Sequence, residues 1–280
     1  MSTWEVRSEC TPGCAVHAAP RVSSAEAARR CAAFARAAGR ALRDGERMAE
    51  PARLRAHARA VLAAIGVRLD IDTPPDTAGL VVREARPPGA AGPPPGTLVV
   101  ANHISWLDIP ALLAVEPVTL LAKREVGEWP LVGTLARRAG TRFIDRGRPR
   151  QLPATVASLA DVLRSGRSVA VFPQASTWCS GAYGAFRRAT FQAALDAGAP
   201  VRPVTLSYEQ LGQPSTVAGF LGDEEFLSSV RRVVRARGLT VRVTVHPPLD
   251  PRPGTDDRRA LADLARAAVS SRVQAVGTYL

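Results

Sequence analysis

Aromatic side chains are scarce in this chain of 280 residues, where Phe, Trp and Tyr together make up 5%. No zinc-finger, RNP-like or basic-zipper pattern occurs in the sequence either. Proteins that bind nucleic acid through such modules carry these patterns, and many also stack bases on aromatic rings. The sequence therefore predicts that nucleic acid is not the partner of this protein.

A long hydrophobic run is also missing. The apolar stretch Ile109 to Ala122 is interrupted by Glu116 and Pro117 and is shorter than the roughly 20 residues that a membrane-spanning helix needs. The first ten residues lack a positively charged segment followed by an apolar one, which argues against a signal peptide. We therefore expect a cytoplasmic protein whose contact with the cell membrane is peripheral, on the inner face.

Cysteine is rare as well, with four residues in the chain, three of them near the N-terminus. Cys10, Cys14 and His17 have a spacing that a metal ion could use, but they do not form paired CxxC knuckles. Cys31 would have to complete such a site from inside a predicted helix. We therefore expect reduced thiols, some packed in a small N-terminal cap, and no metal site.

Positive charge is abundant: the formal net charge is +12, supplied almost entirely by Arg. This excess indicates an anionic partner, such as a phosphate-bearing substrate, an acidic carrier protein or an anionic lipid surface. A GC-rich genome would also produce a chain rich in Ala and Arg, which weakens the argument from charge alone. Hydrophobic residues make up 46% of the chain, enough for a sizeable core.

Two basic amphipathic helices are predicted before residue 67, from about Ser23 to Arg43 and from Pro51 to Ile65. Such helices lie on an anionic membrane surface or pack their apolar face against a main domain. We favour packing, and the two arrangements are compatible. The predicted organisation is an irregular segment with two helices over residues 1–66 and an α/β domain over residues 67–280.

Short apolar strands alternate with helices from residue 67 onward, except for a Pro- and Gly-rich loop over residues 87–96. This alternation predicts an α/β fold with a mixed, largely parallel central sheet covered by helices. The predicted strands are Val67–Ile71, Leu80–Val82, Leu98–Ala101, Val118–Ala122, Arg142–Ile144, Ser168–Phe172, Val201–Ser207 and Thr240–Val245. One predicted helix begins at Asp108. The others span Leu131–Arg138, Pro153–Arg164, Thr190–Ala197 and Asp256–Val273.

The most informative motif is Asn102–Asp108, which joins an apolar strand to a helix. A turn at this position can fold the carboxylate of Asp108 onto one imidazole nitrogen of His103 and leave the other nitrogen free. An Asp that orients a His in this way makes a general base. Alternatively, Ser105 or Asp108 caps the helix and His103 merely lies nearby. The motif alone does not decide between the two interpretations.

Three further loops at strand ends carry residues suited to binding or catalysis. Arg142, Arg146 and Arg148 surround one short strand, and guanidinium groups suit phosphate oxygens. A polar turn follows a strand over Val171–Trp178, and another turn leads into a strand over Pro200–Val204. Because chemistry in such sheets gathers at strand ends, we expect these loops and the first motif to form one site.

These four stretches, in this order, resemble the motifs of the PlsC-like glycerolipid acyltransferases, which include the 1-acyl-glycerol-3-phosphate acyltransferases. The family's first motif, Asn-His-x4-Asp, corresponds to Asn102–Asp108, and its second, Phe-Ile-Asp-Arg, corresponds to Phe143–Arg146. Its third motif, Phe-Pro-Glu-Gly-Thr, corresponds to Phe172–Thr177, and its fourth, of the Val-Pro-Val type, corresponds to Val201–Val204. Lys123 and Glu125 resemble a Lys-x-Glu found between the first two motifs. The resemblance covers roughly residues 60 to 250 and implies an α/β acyltransferase fold.

The resemblance also implies a reaction and a set of roles. A fatty acyl group would pass from acyl-CoA or acyl carrier protein, as co-substrate, to the hydroxyl of an acceptor such as a lysophospholipid. His103 would deprotonate that hydroxyl and Asp108 would orient His103, with no covalent acyl-enzyme, metal or prosthetic group. The residues expected to bind the acceptor are Arg146, Arg142, Lys123, Gln174, Ala175, Ser176 and Pro203.

The third motif departs from the family pattern. Gln174-Ala175 stands where the family has Glu-Gly, and Thr177 stands where an Arg is common. Gln lacks the charge of Glu, and Ala adds a methyl group where Gly permits a positive φ or close approach. We expect this motif to recognise the acceptor, so three alternatives for the function stay open. The acceptor is 1-acyl-glycerol-3-phosphate, or it is a different molecule such as an amino-acid lipid or specialised metabolite. Alternatively, the protein is a non-catalytic paralogue that binds lipid or carrier protein.

Overall fold

The computed structural model describes residues 6, 8–74, 79–82, 93–180, 184–252 and 256–276. The helices are α1 Ser24–Asp44, α2 Pro51–Ala64, α3 Asp108–Val115, α4 Arg124–Glu128, α5 Val132–Arg138, α6 Leu152–Arg164, α7 Ala189–Ala197, α8 Phe226–Val234 and α9 Arg258–Val276. The strands are β1 Arg68–Asp72, β2 Leu98–Ala101, β3 Thr119–Lys123, β4 Arg142–Ile144, β5 Val169–Val171, β6 Val201–Gln210, β7 Gln213–Pro214 and β8 Leu239–Val245.

These strands form one sheet in the order β1-β8-β6-β2-β5-β3-β4, with the short β7 paired to β6. Strands β6, β2, β5, β3 and β4 run parallel to one another, whereas β8 runs antiparallel to β6. In the centre of the sheet, Val100 of β2 lies in register between Val171 of β5 and Pro203 of β6. The predicted mixed, largely parallel sheet is confirmed.

The parallel strands bring three of the four predicted motifs to one edge of the sheet. The carboxyl ends of β2, β3, β4 and β5 all point the same way, and loops at this edge are where ligands bind in open α/β sheets. The first motif follows β2, Lys123 ends β3, the second motif begins within β4 and continues beyond its carboxyl end, and the third motif follows β5. Sheet order therefore makes neighbours of stretches that are distant in sequence.

A hydrophobic core lies on each face of the sheet, and β2 contributes to both. Val99 and Ala101 belong to the core that also contains α2, α3 and α8, whereas Leu98 and Val100 belong to the core beneath α6, α7 and α9. Successive side chains of a strand point to opposite faces, so a continuous apolar run is what a doubly covered strand requires.

The N-terminal helices pack against the α/β fold. Ser23 caps α1 by accepting a hydrogen bond of 3.2 Å from the N–H of Glu26. Arg30 of α1 donates to two main-chain carbonyls at the end of α8, and Leu54 and Leu62 of α2 are buried in the same core as α3. The packing favoured from the sequence is therefore observed, whereas the domain boundary at residue 66 stays a prediction. No helix in the described part of the chain combines the length and apolar character that crossing a bilayer requires.

One predicted strand is wrong. Leu80–Val82 forms bends instead of a strand, although Leu80 is fully buried. The N–H groups of Val81 and Val82 donate to side chains, at 2.9 Å to Oε2 of Glu116 and 2.8 Å to Oγ1 of Thr97. Because these side chains satisfy the backbone, no neighbouring strand is needed. Residues 87–92 of the predicted loop lie outside the described residues.

Three short elements were missed by the sequence analysis, namely α4, β7 and α8. Strand β6 also extends to Gln210, three residues beyond the prediction, because its second half pairs with β8. This pairing reaches Gln210 opposite Leu239. The other element ends differ from the predictions by a few residues, as expected for boundaries that depend on capping.

Candidate active site

His103 and Asp108 form the predicted pair. Nδ1 of His103 lies 2.7 Å from Oδ2 of Asp108, the first residue of α3. The same carboxylate oxygen accepts from the N–H of Ile104 at 2.7 Å and of Ser105 at 2.9 Å. The carboxylate of Asp108 therefore stabilises the turn before α3 and orients the imidazole of His103. The capping alternative is not observed, because the N-cap residue of α3 is Leu107 and no side chain makes a capping hydrogen bond there.

Asp108 is completely buried, at 0% exposure, and a buried carboxylate requires hydrogen-bond donors. A further donor comes from β6, where the hydroxyl of Tyr208 lies 2.5 Å from Oδ1 of Asp108. Burial, reinforced by the charge of Asp108, raises the pKa of Tyr208 well above its usual value. Tyr208 therefore stays protonated and donates to Asp108 throughout the physiological pH range.

Tyr208 was missed by the sequence analysis because no motif includes it. The two-residue period of β6 could have indicated Tyr208, because it places Val204, Leu206 and Tyr208 on the same face. All three side chains are buried in the core that contains α3. A hydroxyl on such an apolar face needs a polar partner, and Asp108 provides one.

The imidazole ring of His103 is held on one side by an aromatic ring. It stacks on Phe172, with ring centroids 4.1 Å apart and planes 16° apart. The side chain of His103 is 22% exposed. Because Nδ1 is bound to Asp108, Nε2 is the nitrogen left for a substrate hydroxyl.

The third motif holds the main chain of His103 from both sides. Oε1 of Gln174 accepts a hydrogen bond of 2.7 Å from the N–H of His103, and the carbonyl of His103 accepts one of 2.9 Å from the N–H of Trp178. Gln174 is 1% exposed. The structure therefore places Gln174 against the main chain of His103, and the predicted contact of Gln174 with the acceptor stays a prediction.

Ala175 occupies the backbone conformation that the family's Gly would favour. Its φ is +61°, in the left-handed region where a Cβ is unfavourable. The carbonyl of Ala175 accepts a hydrogen bond from Nη1 of Arg146, which joins the second motif to the third. The predicted site residue Ser176 is half-buried in the same turn.

The three predicted cationic residues have different surroundings. Arg146 is half-buried beside the third motif, and burial lowers its pKa, with Glu125 opposing that shift and Arg187 adding to it. Nζ of Lys123 lies 3.2 Å from Oε1 of Glu125. Arg142 is exposed on β4. Only Arg146 is held directly against the motif that supports His103.

The fourth motif supports the site from within the sheet. Pro203 is buried in β6, and its carbonyl accepts a hydrogen bond of 3.0 Å from the N–H of His246. Next to it, Asn102 of the first motif makes two hydrogen bonds to the main chain of Leu206, at 2.9 Å to its carbonyl and 2.7 Å from its N–H. These bonds fix the carboxyl end of β2, from which His103 projects. The predicted contact of Pro203 with substrate stays a prediction.

Comparisons with known proteins agree with this geometry. Residues 89–207 match the protein family described as Acyltransferase. A 1-acyl-sn-glycerol-3-phosphate acyltransferase of Neisseria meningitidis is 34% identical over 215 residues, which cover 77% of this chain and 78% of that protein. The chain belongs to the PlsC-like glycerolipid acyltransferase family.

Two further comparisons extend this assignment. A lyso-ornithine lipid O-acyltransferase of Pseudomonas aeruginosa is 41% identical over 172 residues, covering 61% of this chain and 66% of that protein. The crystal structure of the 1-acyl-sn-glycerophosphate acyltransferase PlsC from Thermotoga maritima shares the fold, with a TM-score of 0.59 over 82% of this chain and 80% of that one, at 18% identity. The resemblance seen in the four motifs is confirmed, and this acyltransferase is an enzyme.

Proposed function

We propose that this acyltransferase moves a fatty acyl group from the thioester of acyl-CoA or acyl carrier protein to the free hydroxyl of a lysolipid, with His103 as general base. The observation that carries the proposal is the 2.7 Å contact between His103 and the buried Asp108, which leaves Nε2 of a partly exposed ring for substrate.

The reaction follows from this geometry in two steps. Nε2 of His103 takes the proton of the acceptor hydroxyl while the oxygen attacks the thioester carbonyl carbon. The tetrahedral intermediate then expels the thiolate as the C–S bond breaks, and the thiolate takes the proton from the imidazolium. Asp108 orients the ring and stabilises its positive charge.

The first acceptor candidate is 1-acyl-glycerol-3-phosphate. Lys123 ends β3 and Arg146 follows β4, so both lie at the carboxyl edge of the sheet, where a phosphate would be neutralised, whereas Arg142 is the first residue of β4. The bond from Arg146 to Ala175 uses Nη1, and a guanidinium has five N–H donors in all. The relative from Neisseria meningitidis carries the name of this activity.

A second acceptor candidate is a lyso-ornithine lipid. The third motif here is uncharged, with Gln174 and Ala175 in place of Glu-Gly, and the relative from Pseudomonas aeruginosa is named for this acceptor. The headgroup of such a lipid carries a carboxylate, which an Arg also binds, together with an ammonium group. Because the third motif lacks the negative charge of the family's Glu, a headgroup bound beside it would have less negative surroundings.

We also propose that the enzyme binds the anionic inner surface of the cell membrane peripherally. The net charge of +12 and exposed arginines on α1, such as Arg36 and Arg40, would be attracted to anionic lipids. Such contact would bring the site to acceptors that reside in the bilayer.

The test is to incubate the full-length protein with acyl-CoA or acyl carrier protein donors and a panel of acceptors that includes both candidates. Thioester consumption that requires an acceptor, with the diacyl product identified by mass spectrometry, is expected. His103→Ala should abolish product formation. Absence of turnover with every acceptor, from a folded protein that still binds lipid, would replace this proposal with the non-catalytic alternative.

A further inference from the structure

Three of the four cysteines meet beside the third motif. Sγ of Cys10 lies 3.3 Å from Sγ of Cys179, which is 169 residues further along the chain, and the Sγ atoms of Cys10, Cys14 and Cys179 all lie within 4.8 Å of one another. Sequence spacing suggested His17 as the partner of Cys10 and Cys14, but the fold supplies Cys179 instead. The fourth cysteine, Cys31, is exposed on α1, outside this cluster.

The separation of the sulfur atoms suits a tetrahedral metal ion. Zn–S bonds of about 2.3 Å place two thiolate ligands roughly 3.8 Å apart. Sγ of Cys10 and Sγ of Cys179 are 3.3 Å apart, and all three sulfur atoms lie within 4.8 Å of one another, a range that includes this value. Thiolates are soft ligands that favour Zn²⁺ over harder cations such as Mg²⁺ and Ca²⁺.

Two features favour a metal over a redox pair. A disulfide would join only two of the three thiols and would leave Cys14 without a role in the cluster. The main-chain N–H of Cys179 also donates to Sγ of Cys10 at 3.3 Å, and hydrogen bonds of this kind support coordinating atoms in metal sites.

We propose that Cys10, Cys14 and Cys179 bind one Zn²⁺ ion, with a fourth position for water or another ligand, and that this site fastens the N-terminal segment to the third motif. The three thiols bind as thiolates, so coordination releases their protons to solvent.

The site would be connected directly to the catalytic histidine. Cys179 follows Trp178, whose N–H holds the carbonyl of His103. On its other side, the segment with Cys14 is bound to the loop after β7, because Oγ1 of Thr216 donates to the carbonyl of Cys14 at 2.6 Å. A bound metal would therefore restrict the motion of the loop that supports His103.

The experiment is metal analysis of the purified full-length protein, followed by Co²⁺ and Zn²⁺ titration of the metal-free protein in the presence of a competing chelator. We expect one equivalent of metal and a thiolate-to-Co²⁺ charge-transfer band in the near ultraviolet. Replacing Cys10, Cys14 or Cys179 singly with Ser should weaken Zn²⁺ binding by more than about 100-fold, because each loses a ligand. Cys31→Ser is the matched control and should bind as the wild type does.

Three results would overturn the proposal. The first is that the wild-type protein binds neither Co²⁺ nor Zn²⁺. The second is that Cys31→Ser loses as much binding as the Cys10, Cys14 and Cys179 variants. The third is that the protein is purified without metal and its intact mass shows a Cys10–Cys179 disulfide. If a cysteine variant does not fold, the wild-type titration still decides. Since metal binding is measured without donor or acceptor, it is independent of whether the proposed acyl transfer is observed.

Discussion

The main-chain N–H of His103 donates a hydrogen bond of 2.7 Å to Oε1 of Gln174. The residue that replaces the family's Glu therefore holds the main chain of His103, the proposed general base, in place. A carboxamide and a carboxylate both offer an acceptor oxygen, so the replacement keeps this bond while it removes a negative charge from a buried position. The altered third motif is thus compatible with the contact between His103 and Asp108.

The general-base role of His103 predicts that His103→Ala lowers kcat by about 10²- to 10⁴-fold, because one positioned base contributes that much. The fold should persist, as judged by circular dichroism and thermal unfolding. His57→Ala is a suitable control, since His57 lies on α2 and contacts Asp44. Near-full activity in His103→Ala would exclude this mechanism.

The support from Gln174 predicts that Gln174→Ala lowers both kcat and the free energy of unfolding. A buried N–H left without an acceptor costs about 1–3 kcal/mol, measurable by denaturant titration. Gln174→Glu keeps an acceptor oxygen and should retain more activity than Gln174→Ala. Gln192→Ala, which removes an exposed amide on α7, should change neither quantity much. Equal effects of Gln174→Ala and Gln192→Ala would contradict the supporting role.

The positive φ of Ala175 predicts that Ala175→Gly stabilises the protein by about 1 kcal/mol, because Gly adopts this conformation without steric cost. The melting temperature should rise by roughly 2–4 °C. The matched control is Ala32→Gly, in the exposed interior of α1, which should destabilise by about 0.5–1 kcal/mol. Destabilisation by Ala175→Gly would mean that the methyl group makes contacts worth more than the strain.

The position of Arg146 predicts that Arg146→Ala raises the acceptor KM more than the donor KM, because the acceptor headgroup is anionic. Arg142→Ala, at an exposed position on β4, should have the smaller effect. Steady-state kinetics with both acceptor candidates provides the measurement. If the acceptor KM stays unchanged while stability falls, Arg146 serves only to hold the carbonyl of Ala175.

The raised pKa of Tyr208 predicts a specific loss of stability in alkali. An unfolded Tyr titrates near pH 10, whereas folded Tyr208 keeps its proton to higher pH, so the unfolded state alone gains charge as the pH rises through about 10. The unfolding free energy of the wild type should fall more steeply above about pH 10 than that of Tyr208→Phe. At pH 8, Tyr208→Phe should be the less stable protein and have a lower kcat, since Asp108 loses a donor. Parallel pH dependence of the two proteins would contradict this.

Much of the fold could be predicted because its signals are local. The apolar run Leu98–Ala101 predicts a strand buried on both faces, and the change to a helical pattern at Asp108 predicts the turn that pairs His103 with Asp108. The two residues are five positions apart, so a single turn brings them together. Leu80–Val82 shows the limit of this reasoning, because an apolar run does not reveal that side chains will satisfy its backbone.

The sequence by itself determined most of the elements, their alternation and the proximity of His103 to Asp108, since each depends on periodicity or on turns of a few residues. Only the tertiary structure decided what supports that pair. Tyr208 reaches Asp108 across 100 residues, Gln174 reaches His103 across 71, and Cys179 reaches Cys10 across 169. These contacts depend on the order in which strands join the sheet and on loops closing over its edge. Strand order arises from the combined packing of all the elements, which no local pattern records.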